Sequence, residues 1–340
     1  MCVQHSFLTG LAMVLAAGVL QGGFMFPSKW MKGWAWENYW LIFACVAYLI
    51  SPWLLALATV PQLARVYAGT AFHTFAIILA FGLAWGLGAL TFGLGIDAVG
   101  LALGFAVVLG VSASAGALIP LIARPPQHIT AAQIGLTIAA IAIMLAGVGV
   151  CSFAGRWKES PQKHERPSYA AGIALCVGSG LLSSCGNLGF IFGSEVASRA
   201  QSLGTQSYLA GNAVWTLLAI PLFLCNAGYS AILLFRKRTA ARYAAPGSGR
   251  KWFLAFLMGA MWMAGMSLYG IGARRMGNMG ASVGWGVLMS SMVLVANILG
   301  LASGEWAAAP LPSRRSLIAG LALLLVAIAA LGYTNVMAAG

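Results

Sequence analysis

Charge is what this chain has least of. Asp, Glu, Lys and Arg make up 7% of 340 residues, where a water-soluble domain carries roughly a quarter. Water could not solvate a surface of this composition, so the solvent is lipid. Acids are the scarcer sign, six against 19 Lys and Arg. Elsewhere a net charge of +13 would point to nucleic acid. Here the cations stand between apolar runs, where they orient a chain in a membrane, and no nucleic-acid partner is expected. Histidine is also rare: His5, His73, His128 and His164 fall at termini, loops or helix ends. There is no HExxH, no acid pair inside an apolar run and no GxSxG at a nucleophile elbow. The expectation is therefore no enzyme, no cofactor and no metal. Cys2, Cys45, Cys151, Cys176, Cys185 and Cys225 form no CxxC. All but Cys2 lie in or beside apolar runs, as small packing residues do. Residues Met1 to Ser6 hold no Lys or Arg, and the apolar run after them is too long for a signal peptide core. It reads as a retained membrane helix.

What the chain has in quantity is apolar length: 61% of it is hydrophobic. A spanning helix needs about 20 mostly apolar residues. Ten segments meet this, at 7–26, 39–60, 75–96, 99–122, 131–152, 169–192, 207–235, 252–273, 281–303 and 316–336. Turns of a residue or two at Asp97 and at Arg274–Arg275 make tight antiparallel hairpins. Loops after even-numbered helices hold Arg65, Arg124, Arg199, Arg274 and Arg275; the other Lys and Arg of the 19 follow odd-numbered helices. The odd loops are thus expected to be cytoplasmic, with both termini outside.

The stretch from Gly82 to Gly100 recurs 177 positions later. The offset pairs Gly82 with Gly259, Trp85 with Trp262, Gly88 with Gly265, Gly93 with Gly270, Gly95 with Gly272 and Gly100 with Gly277. An offset of half the chain indicates a duplication. Five helices per copy is an odd number, so the second copy sits upside down. The expected fold is an all-α integral membrane protein of ten helices in two inverted five-helix repeats, 1–155 and 169–340, joined by a cytoplasmic linker at 156–168. Inverted repeats build secondary transporters with a site near the midplane. The 43 glycines allow close helix packing; packing that also permits movement is the functional reading. Glycine runs resembling GxGxxG sit in lipid-length helices with no preceding strand, so they are not nucleotide loops.

No acid lies at the centre of an apolar segment. Glu37, Glu195 and Glu305, at or beside helix ends, are the proton-coupling candidates, with solvated end-groups as the alternative. Neutral polar groups do reach depth. Gln21, Asn187 and Asn212 join Trp85, Trp215, Trp262, Tyr269 and Trp285 as candidate substrate residues. Flat rings cover the apolar face of a sugar and amides bond its hydroxyls; bonding between helices is the competing use of each amide. Trp30, Trp34, Trp36, Trp40 and Trp53 include members of an interfacial belt.

The run from Phe26 to Trp53, FPSKWMKGWAWENYWLIFACVAYLISPW, resembles the L-rhamnose–proton symporter family. It has the basic loop, then W-x-W-E, then Pro-Trp: Lys29, Lys32, Trp34, Trp36, Glu37, Pro52 and Trp53. GNLGFIFG at Gly186, GNAVW at Gly211, LYGIGARRMGNMGASVGW at Leu268 and GEW at Gly304 are similar to the same family, in the same order along nearly the whole chain. The resemblance implies a drug/metabolite transporter-like fold: a ten-helix permease of the bacterial inner membrane that takes up a deoxy-sugar with protons. A departure is the lack of a mid-helix acid, which leaves an end-located carboxylate, a water chain or no proton coupling. The expectation is sugar–proton symport by alternating access, with the sugar, the proton and membrane lipids as partners. An exporter of amphipathic metabolites or drugs is the alternative, and a membrane sensor or scaffold the third reading.

Overall fold

The computed structural model describes residues 2–99, 101–123, 125, 129–158, 169–277 and 279–337. Among them no strand occurs, and ten helices are long and apolar enough to cross a membrane. Spans 1 to 5 are Ser6–Trp30, Trp36–Thr59, Phe72–Gly95, Gly104–Ala123 and Ala131–Arg156. Spans 6 to 10 are Ala170–Ser202, Asn212–Lys237, Ser248–Arg275, Gly280–Ala302 and Leu311–Thr334. Large apolar side chains such as Leu54, Leu57, Phe72, Ile122 and Phe235 are left on the outer surface, as a lipid solvent permits.

Several ends differ from the apolar-run reading, because a helix continues wherever its backbone bonds are satisfied. Span 2 starts at Trp36, which puts Glu37 in the first helical turn, where the helix dipole favours an acid. Asp97 lies inside the helix Phe72–Val99 rather than in a turn. Arg274 and Arg275 close the helix Ser248–Arg275, and Gly277 then turns the chain at φ +85°, a value that favours glycine. The fifth helix runs on to Lys158, so the expected linker starts helically; 159–168 lie outside the described residues. Span 2 is not uniform. Its middle, Cys45–Ile50, is a π-turn between Trp36–Ala44 and Ser51–Thr59. Pro52 lacks the amide that would bond back to Tyr48, and a π-turn absorbs such a break.

The main packing pairs have a pattern. Span 3 lies on span 6, and span 8 on span 1; span 4 lies on span 6, and span 9 on span 1. Span 7 meets span 3, and span 2 meets span 8. Spans 2 and 7, 4 and 9, and 5 and 10 pack on each other. Adding five to every number returns the same set. Side chains repeat the pattern. Asn38 Nδ2 donates to the Thr239 carbonyl at 3.0 Å, and Asn212 Nδ2 to Thr59 Oγ1 at 3.0 Å. Tyr243 donates to the Asn38 carbonyl and Tyr67 to that of Ala213, each at 2.9 Å. The crossing of spans 2 and 7 is thus tied alike at both ends. Burial pushes the Tyr243 hydroxyl up to about 12 and raises that of Tyr67, so both remain donors at neutral pH.

Most of the repeated glycines are contact points, while Gly93 and Gly277 face open space. A Cβ on Gly88 would come within 2.7 Å of the Ser183 amide nitrogen, and one on Gly265 within 2.9 Å of Gln21 Nε2. A Cβ on Gly95 would meet Cys176 Sγ at 2.8 Å, and one on Gly272 the Gly10 carbonyl at 2.6 Å. Span 3 is thus pressed onto span 6, and span 8 onto span 1.

Candidate substrate cavity

A cavity of about 920 Å³ occupies the middle of the bundle. Its deepest aromatic walls are Trp85 and Trp262, the tryptophans matched by the internal repeat. Each sits midway along its span, with ring centroids 5.6 Å apart. From there the cavity runs toward one end only, where Trp36, Gly155, Lys237, Gly300 and Glu305 line it. That end carries Lys29, Arg236, Arg238, Arg250, Lys251, Arg314 and Arg315 and is called the basic end below.

The candidate residues divide around this cavity. Gln21, Trp85, Trp262 and Trp285 line it. Gln21 Nε2 donates to the Trp262 carbonyl at 2.7 Å, and Trp285 Nε1 to that of Ser112 at 3.1 Å. Asn187, Asn212, Trp215 and Tyr269 lie outside the lining, packed between the tryptophan floor and the opposite end. There the Tyr269 hydroxyl donates to Asn187 Oδ1 at 2.5 Å and lies 2.8 Å from the Ala281 carbonyl. Asn187 Nδ2 donates to the Gly116 carbonyl at 2.8 Å. Ser267 donates to Asn212 Oδ1 at 3.1 Å. Trp215 stacks on Phe190 with centroids 4.6 Å apart, and its buried indole N–H has no hydrogen-bond partner among the described residues. These groups close the bundle at that end.

The three carboxylates are placed differently. Glu37 is wholly buried, accepting from Lys237 Nζ at 3.2 Å and from Thr239 Oγ1 at 3.0 Å. Only the Lys237 side of that pair reaches the cavity. Glu305 lines the mouth and is paired with Lys29, whose Nζ also donates to Ser303 Oγ at 2.8 Å. Glu195 is half exposed at the opposite end, accepting from the Ala71 amide and the Thr74 hydroxyl. Such acceptance holds the start of span 3 against span 6.

In the loop of the W-x-W-E run, Trp34 Nε1 donates to the Arg242 carbonyl at 3.1 Å and Lys32 is exposed. Trp36 stacks on Trp40 with centroids 5.1 Å apart. Both line the cavity, and Trp40 Nε1 donates to Asn226 Oδ1 at 3.1 Å. Sequence reasoning put these two rings among the interfacial tryptophans. Their four-residue spacing, which stacks side chains on one helix face, was the signal for a shared wall. Tyr48, Met266 and Met289 are further lining residues that no motif marked.

With this geometry in place, the relatives are informative. A sequence model of the L-rhamnose-proton symport protein family (RhaT) matches residues 4–339. The chain belongs to this family. Curated L-rhamnose-proton symporters from Klebsiella pneumoniae subsp. pneumoniae, Escherichia coli (strain 55989 / EAEC) and Pectobacterium atrosepticum are each 25% identical to it over 313 residues. Those alignments cover 89% of this chain and 91% of each relative. The membership and the ten apolar helices make this a multi-pass membrane protein of a transporter family.

Proposed function

We propose that the chain takes up a small uncharged sugar, L-rhamnose or a close relative, with protons across the bacterial inner membrane. The observation that carries this is the Trp85–Trp262 floor at mid-depth of a cavity open to one end. Two flat rings suit the C–H face and methyl group of a 6-deoxy sugar, with Gln21 and Ser112 beside them as hydrogen-bonding groups. The cavity charges come as pairs, Lys237 with Glu37 and Lys29 with Glu305, which favours a neutral guest. Family membership supports the same reading, since the relatives are named for L-rhamnose and protons.

Alternating access follows if 1–155 and 169–340 are inverted copies exchanging conformations. The self-consistent packing and the doubled bonds of Asn38 and Asn212 support that. The excess of Lys and Arg makes the basic end cytoplasmic and both termini periplasmic, so this conformer faces inward. Asn187, Asn212, Trp215 and Tyr269 then form the outer seal, which parts to become the wall of the outward-facing cavity. Glu305 is the proton carrier of choice, because it alone of the three carboxylates lines the cavity.

Purified protein in liposomes, given labelled L-rhamnose, should accumulate it only when the outside is more acidic. Accumulation without a proton gradient, or none with one, would overturn the proposal. The second reading, export of an amphipathic metabolite, is favoured by the methionines Met25, Met266, Met289 and Met292 on the cavity wall. Gradient-driven loss of such a compound from cells, with no sugar uptake, would select it.

A further inference from the structure

A second hollow, of about 510 Å³, lies between spans 2 and 8 on the outer surface of the bundle. Its walls include Leu41, Cys45, Ile50, Trp252, Phe253 and Phe256, none of which borders the central cavity. Ile50, Trp252, Phe253 and Phe256 are exposed. The hollow exists because two helices touch at one point and the π-turn reshapes one of them. Val46 meets Gly259, where a Cβ would come within 2.7 Å of the Val46 Cβ. The π-turn Cys45–Ile50 then forms the wall of the seam. From Leu41 to Ile50 the groove runs roughly 14 Å at the rise of a helix, a length that suits an acyl chain.

Beyond one end of the apolar groove the chain is rich in cations. Tyr243 and Trp252 close that end, with Trp252 Nε1 donating to the Tyr243 carbonyl at 3.3 Å. Trp34 sits edge-on to both rings, which ties the first loop to the start of span 8. Around this aromatic cluster stand Lys32, Arg242, Arg250 and Lys251, the sequence neighbours of Trp34, Tyr243 and Trp252. Lys251 Nζ would lie 3.5 Å from a Cβ on Gly33, so the loop and the span meet here. Lys32, Arg242 and Arg250 are exposed. Glu37 and Glu305, the carboxylates described at this end, are already paired with Lys237 and Lys29.

We propose that this groove binds one anionic glycerophospholipid, its acyl chain along Leu41 to Ile50 and its phosphate among Lys32, Arg242, Arg250 and Lys251. Charge selects the occupant. Four cations with no spare carboxylate among the described residues attract a net negative headgroup and repel the ammonium of a zwitterionic one. A tryptophan and a tyrosine at headgroup level are the usual companions of such a site. The π-turn also gives the site a route to the cavity: its Tyr48 lines the cavity and packs edge-on to Trp262 at 4.7 Å. This inference stands apart from the identity of the transported solute.

The test uses the full-length chain, purified and depleted of lipid. Native mass spectrometry should find one phosphatidylglycerol retained per chain in preference to phosphatidylethanolamine. Replacing the four cations with Gln should lower that retention at least tenfold. Filling the groove by Cys45→Trp should also displace the lipid with the charges intact. Acyl-brominated phosphatidylglycerol should quench the wild type more than Trp252→Phe, and more than brominated phosphatidylethanolamine does. Equal retention of both headgroups, unchanged retention in either variant, or equal quenching by both lipids would overturn the proposal. If a variant does not fold, the wild-type comparison of the two lipids decides alone.

Discussion

In the proposed transport cycle, single side chains carry both the coupling and the seal. Glu305 and Glu37 are both paired with lysine, yet their surroundings separate their roles. Glu305→Gln should abolish gradient-driven sugar accumulation while sparing sugar exchange between two equal pools. Accumulation unchanged in that variant would remove Glu305 from the proton path. Glu37 is wholly buried, and replacing it with Gln leaves one neutral acceptor oxygen where Lys237 and Thr239 each had a carboxylate oxygen. Glu37→Gln should therefore lower thermal stability in detergent, by less than the 3–5 kcal/mol of a fully buried pair, because Lys237 is about half exposed. At the opposite end, Tyr269→Phe removes the hydroxyl that bonds Asn187. A buried hydrogen bond contributes about 1 kcal/mol, so the balance should shift roughly fivefold toward opening of that end. Amide hydrogen exchange across 207–215 reads this out; unaltered exchange would show that the hydroxyl does not hold the seal.

At the level of whole helices, the repeated glycines make a sharper prediction than their number does. Gly88 and Gly265 occupy matched positions, but a Cβ at Gly88 meets backbone of span 6, at Ser183 and Leu182. At Gly265 it meets the end of the Gln21 side chain, with the Ala17 carbonyl at 3.3 Å. Backbone cannot step aside and a side-chain amide can. Gly88→Ala should thus lower the midpoint of thermal unfolding more than Gly265→Ala; the reverse order would contradict this packing. The helices also explain which candidate residues were legible in the sequence. Apolar runs fix the depth of Trp85, Trp262, Asn187 and Tyr269 along their spans. They do not fix azimuth, because lipid and a packed neighbour are equally apolar and leave no amphipathic stripe to read. Hence Trp85 and Trp262 turn to the cavity, Asn187 and Tyr269 turn to each other, and no pattern of spacing separates the two outcomes.

For the molecule as a whole, the proposal stands on the two halves pointing opposite ways. Reporter tags near residue 97 and near residue 277 should be accessible from opposite sides of the membrane. The tag near 97 should share a side with the basic end. Both tags answering from one side would dismantle the inverted arrangement and the transport cycle built on it. The same arrangement accounts for the lopsided cavity. Under the proposal, two copies with matched bonds at both ends of the span 2–span 7 crossing have near-equal claims to be open. In the proposed cycle the Asn187–Tyr269 and Phe190–Trp215 contacts are what hold one of them shut.

By itself the sequence determined the solvent and the number of crossings, and it carries the repeat from which the doubling of the chain is proposed. Those depend on composition, on lengths set by bilayer thickness and on identities at a constant offset, all of which are one-dimensional. Which face each helix turns inward, the burial of Glu37 on a lysine two hundred positions away, the π-turn under Tyr48 and the choice of open end were decided only by tertiary structure. The physical reason is that helices in lipid are sorted by close packing and a few hydrogen bonds, not by hydropathy. Such contacts join residues that no periodicity along the chain connects.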